Sequence, residues 1–159
     1  MSKIRFLVMD VDGTLTDGKI YMGANGELMK AFDIKDGYGI HDILPQLGIT
    51  PVIITGRSST IVQNRCKELG IKSIFQGVVD KKTKLIEFLS EKNGHISEVA
   101  YAGDDLNDLA CMNLVKNGGG YVVAPADANK EVLKIADFVS ENKGGEGAVR
   151  EIIDWIATY

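Results

Sequence analysis

Proline is scarce in this chain, three among 159 residues, and cysteine and tryptophan are scarcer still, with two and one. So few prolines leave no room for polyproline spacers or stiff linkers. Cys66 and Cys111 stand alone, without the spacing of a thiolate metal site or a disulfide framework, and read as buried free thiols. No apolar run approaches the roughly 20 residues that a membrane-spanning helix needs. The apolar stretch near the start runs straight into Asp10 and Asp12, which is the wrong chemistry for a signal peptide, so a cytoplasmic location is expected. There is no basic surplus either: 18 Lys and Arg face 22 Asp and Glu, a net charge of −4, which argues against a nucleic-acid binder. Repeats and low-complexity runs are missing as well.

What remains is ordinary globular composition, 45% hydrophobic and 25% charged. The length suits one domain, residues 1–159, large enough to bury a core. Short apolar runs at Ile4–Met9, Thr50–Ile54, Ser73–Phe75, Glu98–Ala102 and Tyr121–Ala124 read as strands buried on both faces. Between them, Tyr38–Leu47, Ile61–Leu69, Thr83–Leu89 and Leu106–Leu114 carry apolar residues at helical spacing, and Ala148–Ile156 does so at the end. Alternating strands and helices imply an α/β fold, a Rossmann-like parallel sheet with helices on both faces. One segment interrupts the alternation. Lys19–Met22 and Glu27–Phe32 flank an Asn25-Gly26 turn signal, which predicts a β-hairpin inserted at about 17–33.

In open α/β sheets ligands bind where strands end. Here those ends carry Asp10 and Asp12, then Thr55-Gly56-Arg57, then Asp80-Lys81, then Gly103-Asp104-Asp105 with Asn107 and Asp108. Acids crowded on one edge repel unless a cation joins them, and hard oxygen donors suit Mg²⁺ beside a phosphate. The lysine and hydroxyl supply what a phosphoryl group needs around it. Other readings compete. An EF-hand starting at Asp10 would need Gly and Glu where Leu15 and Tyr21 stand, and fails. Asp104, Asp105 and Asp108 could be helix caps. Gly118-Gly119-Gly120 and Gly144-Gly145-Glu146-Gly147 lack the G-x-G-x-x-G pattern and read as turns. His41 and His95 suit surface or partner-facing roles, and Trp155 and Tyr159 are placed on the terminal helix as packing residues.

The set Asp10-x-Asp12-Gly-Thr14, Thr55-Gly56, Lys81 and Gly103-Asp104-Asp105-x-x-Asp108 resembles the four motifs of the haloacid dehalogenase-like phosphohydrolases. That resemblance implies a phosphatase in which Asp10 is the nucleophile and forms an aspartyl-phosphate, with Asp12 as general acid and base. It implies that Thr55 and Lys81 hold the phosphoryl group, although Lys82 and Lys84 lie close enough for a register slip. It further implies Mg²⁺ bound by Asp10, the Asp12 backbone carbonyl and Asp104, with Asp105 or Asp108 orienting that shell.

Neither gap between motifs is long enough for the cap domain many such enzymes carry. The pieces Asp17-Gly18, Phe32-Asp33-Ile34-Lys35-Asp36-Gly37-Tyr38-Gly39 and Lys143–Glu151 resemble the capless 3-deoxy-manno-octulosonate 8-phosphate phosphatase group. Relatives of that group act on eight- or nine-carbon sugar-acid phosphates. The resemblance implies a homotetramer in which hairpins form a central barrel, neighbours roof each site and glycine-rich tails approach a neighbour's site. A lone hairpin wanting partners agrees with it. Gly56, Lys35, Arg57 and Arg65 become substrate-facing candidates, the basic ones for the sugar acid's carboxylate, with Arg65 reaching from its own or a neighbouring subunit. Gln63-Asn64-Arg65 departs from the arginine cluster of that group. A phospho-accepting receiver-like domain and a non-catalytic oligomerisation module are the competing classes. The first lacks an acid two residues after its acceptor, and the second predicts losses at Asp10, Asp12, Lys81 or Asp104 that are not seen.

Overall fold

The computed structural model describes residues 4–159. The chain opens with β1 (Phe6–Met9), every residue of which is buried. A hairpin of β2 (Tyr21–Gly23) and β3 (Gly26–Met29) follows, closed at its base by a bridge between Thr16 and Phe32. Next come α1 (Ile34–Tyr38), a π-helical turn over Gly39–Ile43 and α2 (Leu44–Leu47), then β4 (Thr50–Ile54), α3 (Thr60–Glu68) and β5 (Ser73–Phe75). The second half runs α4 (Lys81–Glu91), β6 (Val99–Ala102), α5 (Leu109–Asn117), β7 (Tyr121–Ala124), α6 (Lys130–Ile135), β8 (Phe138–Val139) and α7 (Ala148–Ile156).

Six strands form one sheet in the order β5-β4-β1-β6-β7-β8, and every neighbouring pair is parallel. The first strand sits inside the sheet because the chain winds outward through β4 to β5 and then crosses back to β6. That reversal leaves a crevice between the carboxyl ends of β1 and β6, the position where such sheets take ligands. Side chains alternate across β1. Leu7 and Met9 face a core shared with Ile40, Leu44, Val149, Ile152 and Ile153, whereas Phe6 and Val8 face one shared with Leu85, Phe88, Met112 and Val115. Both faces are therefore covered, as the apolar runs implied.

Three details differ from the sequence reading. The helical stretch expected from Tyr38 begins at Ile34, where Asp33 accepts a hydrogen bond from the Lys35 amide as the cap. Gly37 and Gly39 hide this start, yet both sit where a side chain would strike Arg65 or Ile153. A sixth strand, β8, and the short α6 before it were not expected; at two residues β8 has no periodicity to read. Tyr159 lies just past the end of α7, although it packs with Trp155 and Tyr121. The two cysteines are buried and free, and His41 and His95 are exposed. The triglycine at 118–120 forms the turn between α5 and β7. No helix is long and apolar enough to cross a membrane among the described residues.

Candidate active site

The crevice is an open cleft of about 390 Å³ whose lining includes Asp10, Asp12, Thr55, Arg57 and Asp104. Asp10 follows β1 directly, and its amide donates to the carbonyl of Ala102 at 3.0 Å, which draws the ends of β1 and β6 together. Thr55 follows β4 and is buried, its amide donating to Phe75 at 2.9 Å. Lys81 is the first residue of α4, capped by Asp80, so its side chain starts at the sheet edge. Its ammonium lies 3.0 Å from Asp10 Oδ1 and 2.9 Å from Asp108 Oδ1. Lys81, not Lys82 or Lys84, therefore meets Asp10.

Asp108 is wholly buried and saturated. Oδ1 accepts from Lys81 and from the Tyr101 hydroxyl at 3.0 Å, while Oδ2 accepts from the amides of Asp104 at 3.1 Å and Asp105 at 3.4 Å. Asp105 is exposed and its carboxylate caps the helical turn at Leu106–Asp108 by accepting from the Leu106 amide. The cap reading thus fits Asp105, and Asp108 is the acid that orders the loop. Asp104 turns the other way, toward the cleft, where it accepts from the Thr14 hydroxyl at 3.2 Å. Gly13 makes room for it: at φ +88° any Cβ would fall 2.0 Å from Asp104 Oδ2.

Carboxylate oxygens of Asp10, Asp104 and Asp108 come within 4.8 Å of one another. Three acids beside one ammonium leave an excess of negative charge. Burial pushes Asp10 up to about 6, helped by the charge of Asp108 and opposed by Lys81. Burial also pushes Asp104 up to about 7, with Asp10 and Asp108 adding to it. For Lys81, burial opposes the charged form, but Asp10 and Asp108 outweigh it and the net direction is up. Such carboxyls fit a divalent cation that would replace the proton, and an all-oxygen donor set suits a hard one. With Asp108 saturated, Asp10 and Asp104 are the side chains left free to hold it.

Asp12 has a partner that the sequence reading missed. Lys30, at the end of the hairpin, places its ammonium 2.5 Å from Asp12 Oδ1 and 3.1 Å from Glu27 Oε2. Glu27 also accepts from the Ser59 hydroxyl at 3.3 Å and lies 3.5 Å from Arg57. The available signal was a single lysine in the otherwise apolar return Leu28-Met29-Lys30-Ala31-Phe32. The other substrate candidates divide. Gly56 and Arg57 line the cleft, whereas Lys35 is exposed on α1 and does not. Arg65 is also elsewhere: it lies beneath α1, over the ring of Phe32 at 5.8 Å, with its terminal nitrogen on Glu68 at 2.9 Å. The glycine-rich segment packs on its own chain. A Cβ at Gly144 would fall 1.9 Å from the carbonyl of Gly13, so this tail lies directly against the loop after β1.

A family profile described as haloacid dehalogenase-like hydrolase matches residues 73–153, which include Lys81, Asp104 and Asp108. The 3-deoxy-D-manno-octulosonate 8-phosphate phosphatase KdsC of Escherichia coli K12 is 46% identical over 151 residues, 95% of this chain and 78% of that protein. Among solved structures, the phosphatase of the same name from Yersinia pestis superposes with a TM-score of 0.89 at 44% identity, covering 98% of this chain and 81% of the other. The Moraxella catarrhalis enzyme of that name, in complex with a magnesium ion, a phosphate ion and a KDO molecule, gives 0.89 at 39% identity over 98% and 86%. With no cap domain among its described residues and its acids gathered at the switch point of a parallel sheet, the chain belongs to the haloacid dehalogenase-like hydrolases.

Proposed function

We propose that this phosphatase hydrolyses 3-deoxy-D-manno-octulosonate 8-phosphate, with Mg²⁺, through an aspartyl-phosphate on Asp10. The observation that carries the reading is the buried contact of Lys81 with Asp10, with Asp12 two residues away. A carboxylate oxygen of Asp10 attacks phosphorus, and the bond from phosphorus to the sugar oxygen breaks with its electron pair. Asp12 gives that oxygen its proton, then takes one from the water that attacks the phosphorus of the intermediate and frees Asp10. Lys81 holds Asp10 in line and, with Thr55, offsets phosphoryl charge. Asp108 fixes Lys81 and the amides of Asp104 and Asp105. Asp10, Asp104 and the Asp12 backbone carbonyl would hold Mg²⁺, which would supply positive charge for the phosphoryl oxygens.

The substrate comes from the relatives' names and from features of this chain that agree with them, and the assembly from features of this chain alone. Arg57 at the mouth of the cleft suits a sugar acid's carboxylate. An open cleft and the apolar outer face of the hairpin suit a homotetramer in which neighbours cover the sites; Arg65 and Lys35, away from this chain's own cleft, then act across a subunit boundary. The test is hydrolysis of a panel: octulosonate 8-phosphate, a nine-carbon sugar-acid 9-phosphate and hexose 6-phosphates. Wild type is expected to prefer the first and to lose activity on chelation. Asp10→Asn should lose at least a thousandfold. Preference for the nine-carbon ester would overturn the substrate, and an active Asp10→Asn would overturn the mechanism.

A further inference from the structure

Lys30 is a charged side chain buried where nothing in the reaction just described requires a charge. Only 1% of its side chain is exposed, although it belongs to a hairpin that is mostly in solvent. Burying an ammonium is costly unless it is paired. Here it is paired twice, to Asp12 Oδ1 at 2.5 Å and to Glu27 Oε2 at 3.1 Å. Glu27 is in turn held by the Ser59 hydroxyl and by Arg57. The chain of contacts thus runs from the hairpin to the loop after β4, with Asp12 between them.

The two oxygens of Asp12 are consequently unequal. Oδ1 is occupied by Lys30, while Arg57 Nε stands 3.9 Å from Oδ2, beyond hydrogen-bond reach. One oxygen is anchored and the other is left for proton transfer. An acid-base carboxyl free to turn about its side-chain torsions would meet the leaving oxygen only part of the time, and misplacement by an ångström is enough to cost rate. We propose that Lys30 is a positioning residue for Asp12: the hairpin, through this ammonium and the supporting Glu27, fixes the carboxyl that protonates the leaving group. This rests on the acid-base role of Asp12 given above.

Such a role predicts a dependence on the leaving group. An alkoxide must be protonated as it departs, whereas p-nitrophenolate leaves as a stable anion, and kcat/KM reports only the steps up to that departure. For Lys30→Met, kcat/KM should fall about tenfold to a hundredfold on octulosonate 8-phosphate and equally on glycerol 3-phosphate. On p-nitrophenyl phosphate it should change less than about threefold. Turnover should fall on all three, because Asp12 also activates the water of the second step. Lys30→Arg should recover part of the loss, and Glu27→Gln should show the same pattern more weakly. Equal losses of kcat/KM on alkyl and aryl esters would reduce Lys30 to a structural tie. A loss confined to the sugar acid would make it a ligand of the substrate's carboxylate, and no loss would end the proposal. Asp12→Asn in parallel separates the two readings: if it spares alkyl esters, the assignment of Asp12 fails, and if it alone is impaired, the assignment of Lys30 fails.

Discussion

The sheet edge and the hairpin stand side by side around Asp12, yet they are built on opposite terms. At the edge the buried lysine and its acid are partnered inside the chain: Lys81 has Asp10 and Asp108, and Asp108 has four donors. The hairpin keeps Glu27 and Lys30 inward but turns Met22, Leu28 and Met29 to solvent, with Met22 61% and Leu28 70% exposed. Among the described residues its two strands pair only with each other. A two-stranded ribbon with an apolar outer face gains little alone. The edge gathers the acids, and the hairpin has surface to offer a partner.

The largest effect should come from breaking the edge. Asp108→Ala strips the acceptor from Lys81, the Tyr101 hydroxyl and two amides at once. Leaving one member of a buried charged pair unpartnered typically costs about 3–5 kcal/mol. Asp10 retains part of the interaction with Lys81, so the lower end is expected. Urea unfolding at fixed protein concentration measures it. A loss below about 1 kcal/mol, the scale of an ordinary substitution, would mean that this edge is not closed in the sense described.

Asp36 ties the segment after the hairpin to α7. It stands on α1, just after the hairpin, and its Oδ1 accepts from the Arg150 amide at 2.8 Å, in the first turn of α7, while Oδ2 makes no full hydrogen bond among the described residues. Burial pushes its carboxyl up to about 6 from an ordinary 3.8, with the nearby Asp33 adding to the rise and the amides of Arg150, Gly147 and Val149 opposing it. The folded chain therefore holds this proton more tightly than the unfolded chain does. The contribution is complete below about pH 4 and is lost as pH rises through 6, where the folded state must bury a carboxylate. Asp36→Asn keeps the acceptor and removes the charge. Relative to wild type it should gain on the order of 1–2 kcal/mol between pH 4.5 and pH 8, given about 1.4 kcal/mol for each tenfold change in proton affinity and some relief from the helix terminus. Unfolding of both proteins at the two pH values tests this; a constant difference would show that Asp36 does not titrate in that window.

The same contrast decides what could be read from sequence. Asp10, Asp12, Thr55, Lys81 and Asp104 were legible because each sits within a few residues of a strand end, and strand ends announce themselves as apolar runs that stop. Lys30 was not, because its meeting with Asp12 depends on how the hairpin folds back over 18 residues. The choice between Asp105 and Asp108 was also out of reach. Both are acids in one loop, and only the path of the helical turn buries one and exposes the other. Arg65 was legible as a basic residue and illegible as to place, since the face of α3 that carries it is decided by α1, whose start at Ile34 was masked by Gly37 and Gly39.

The smallest effect on the fold should come from the hairpin's outer face, and its smallness is informative. Met22→Lys puts a charge on a position of the hairpin that already faces solvent. Surface substitutions of this kind usually move stability by no more than about 0.5 kcal/mol, so amide exchange in β1 and β6 should be unchanged within that margin. If copies of the chain assemble through this face as proposed, the assembled mass, by contrast, should fall in light scattering, because a self-pairing apolar face cannot bury ammonium groups against one another. If exchange in β1 rose along with the loss of mass, the edge would depend on its neighbours and the two regions would not be separable. If the mass held, the outer face of the hairpin would not be where copies meet. If mass falls while β1 stays protected and p-nitrophenyl phosphate is still cleaved, the reaction belongs to one chain; a selective loss on sugar-acid esters would then locate substrate recognition in the assembly.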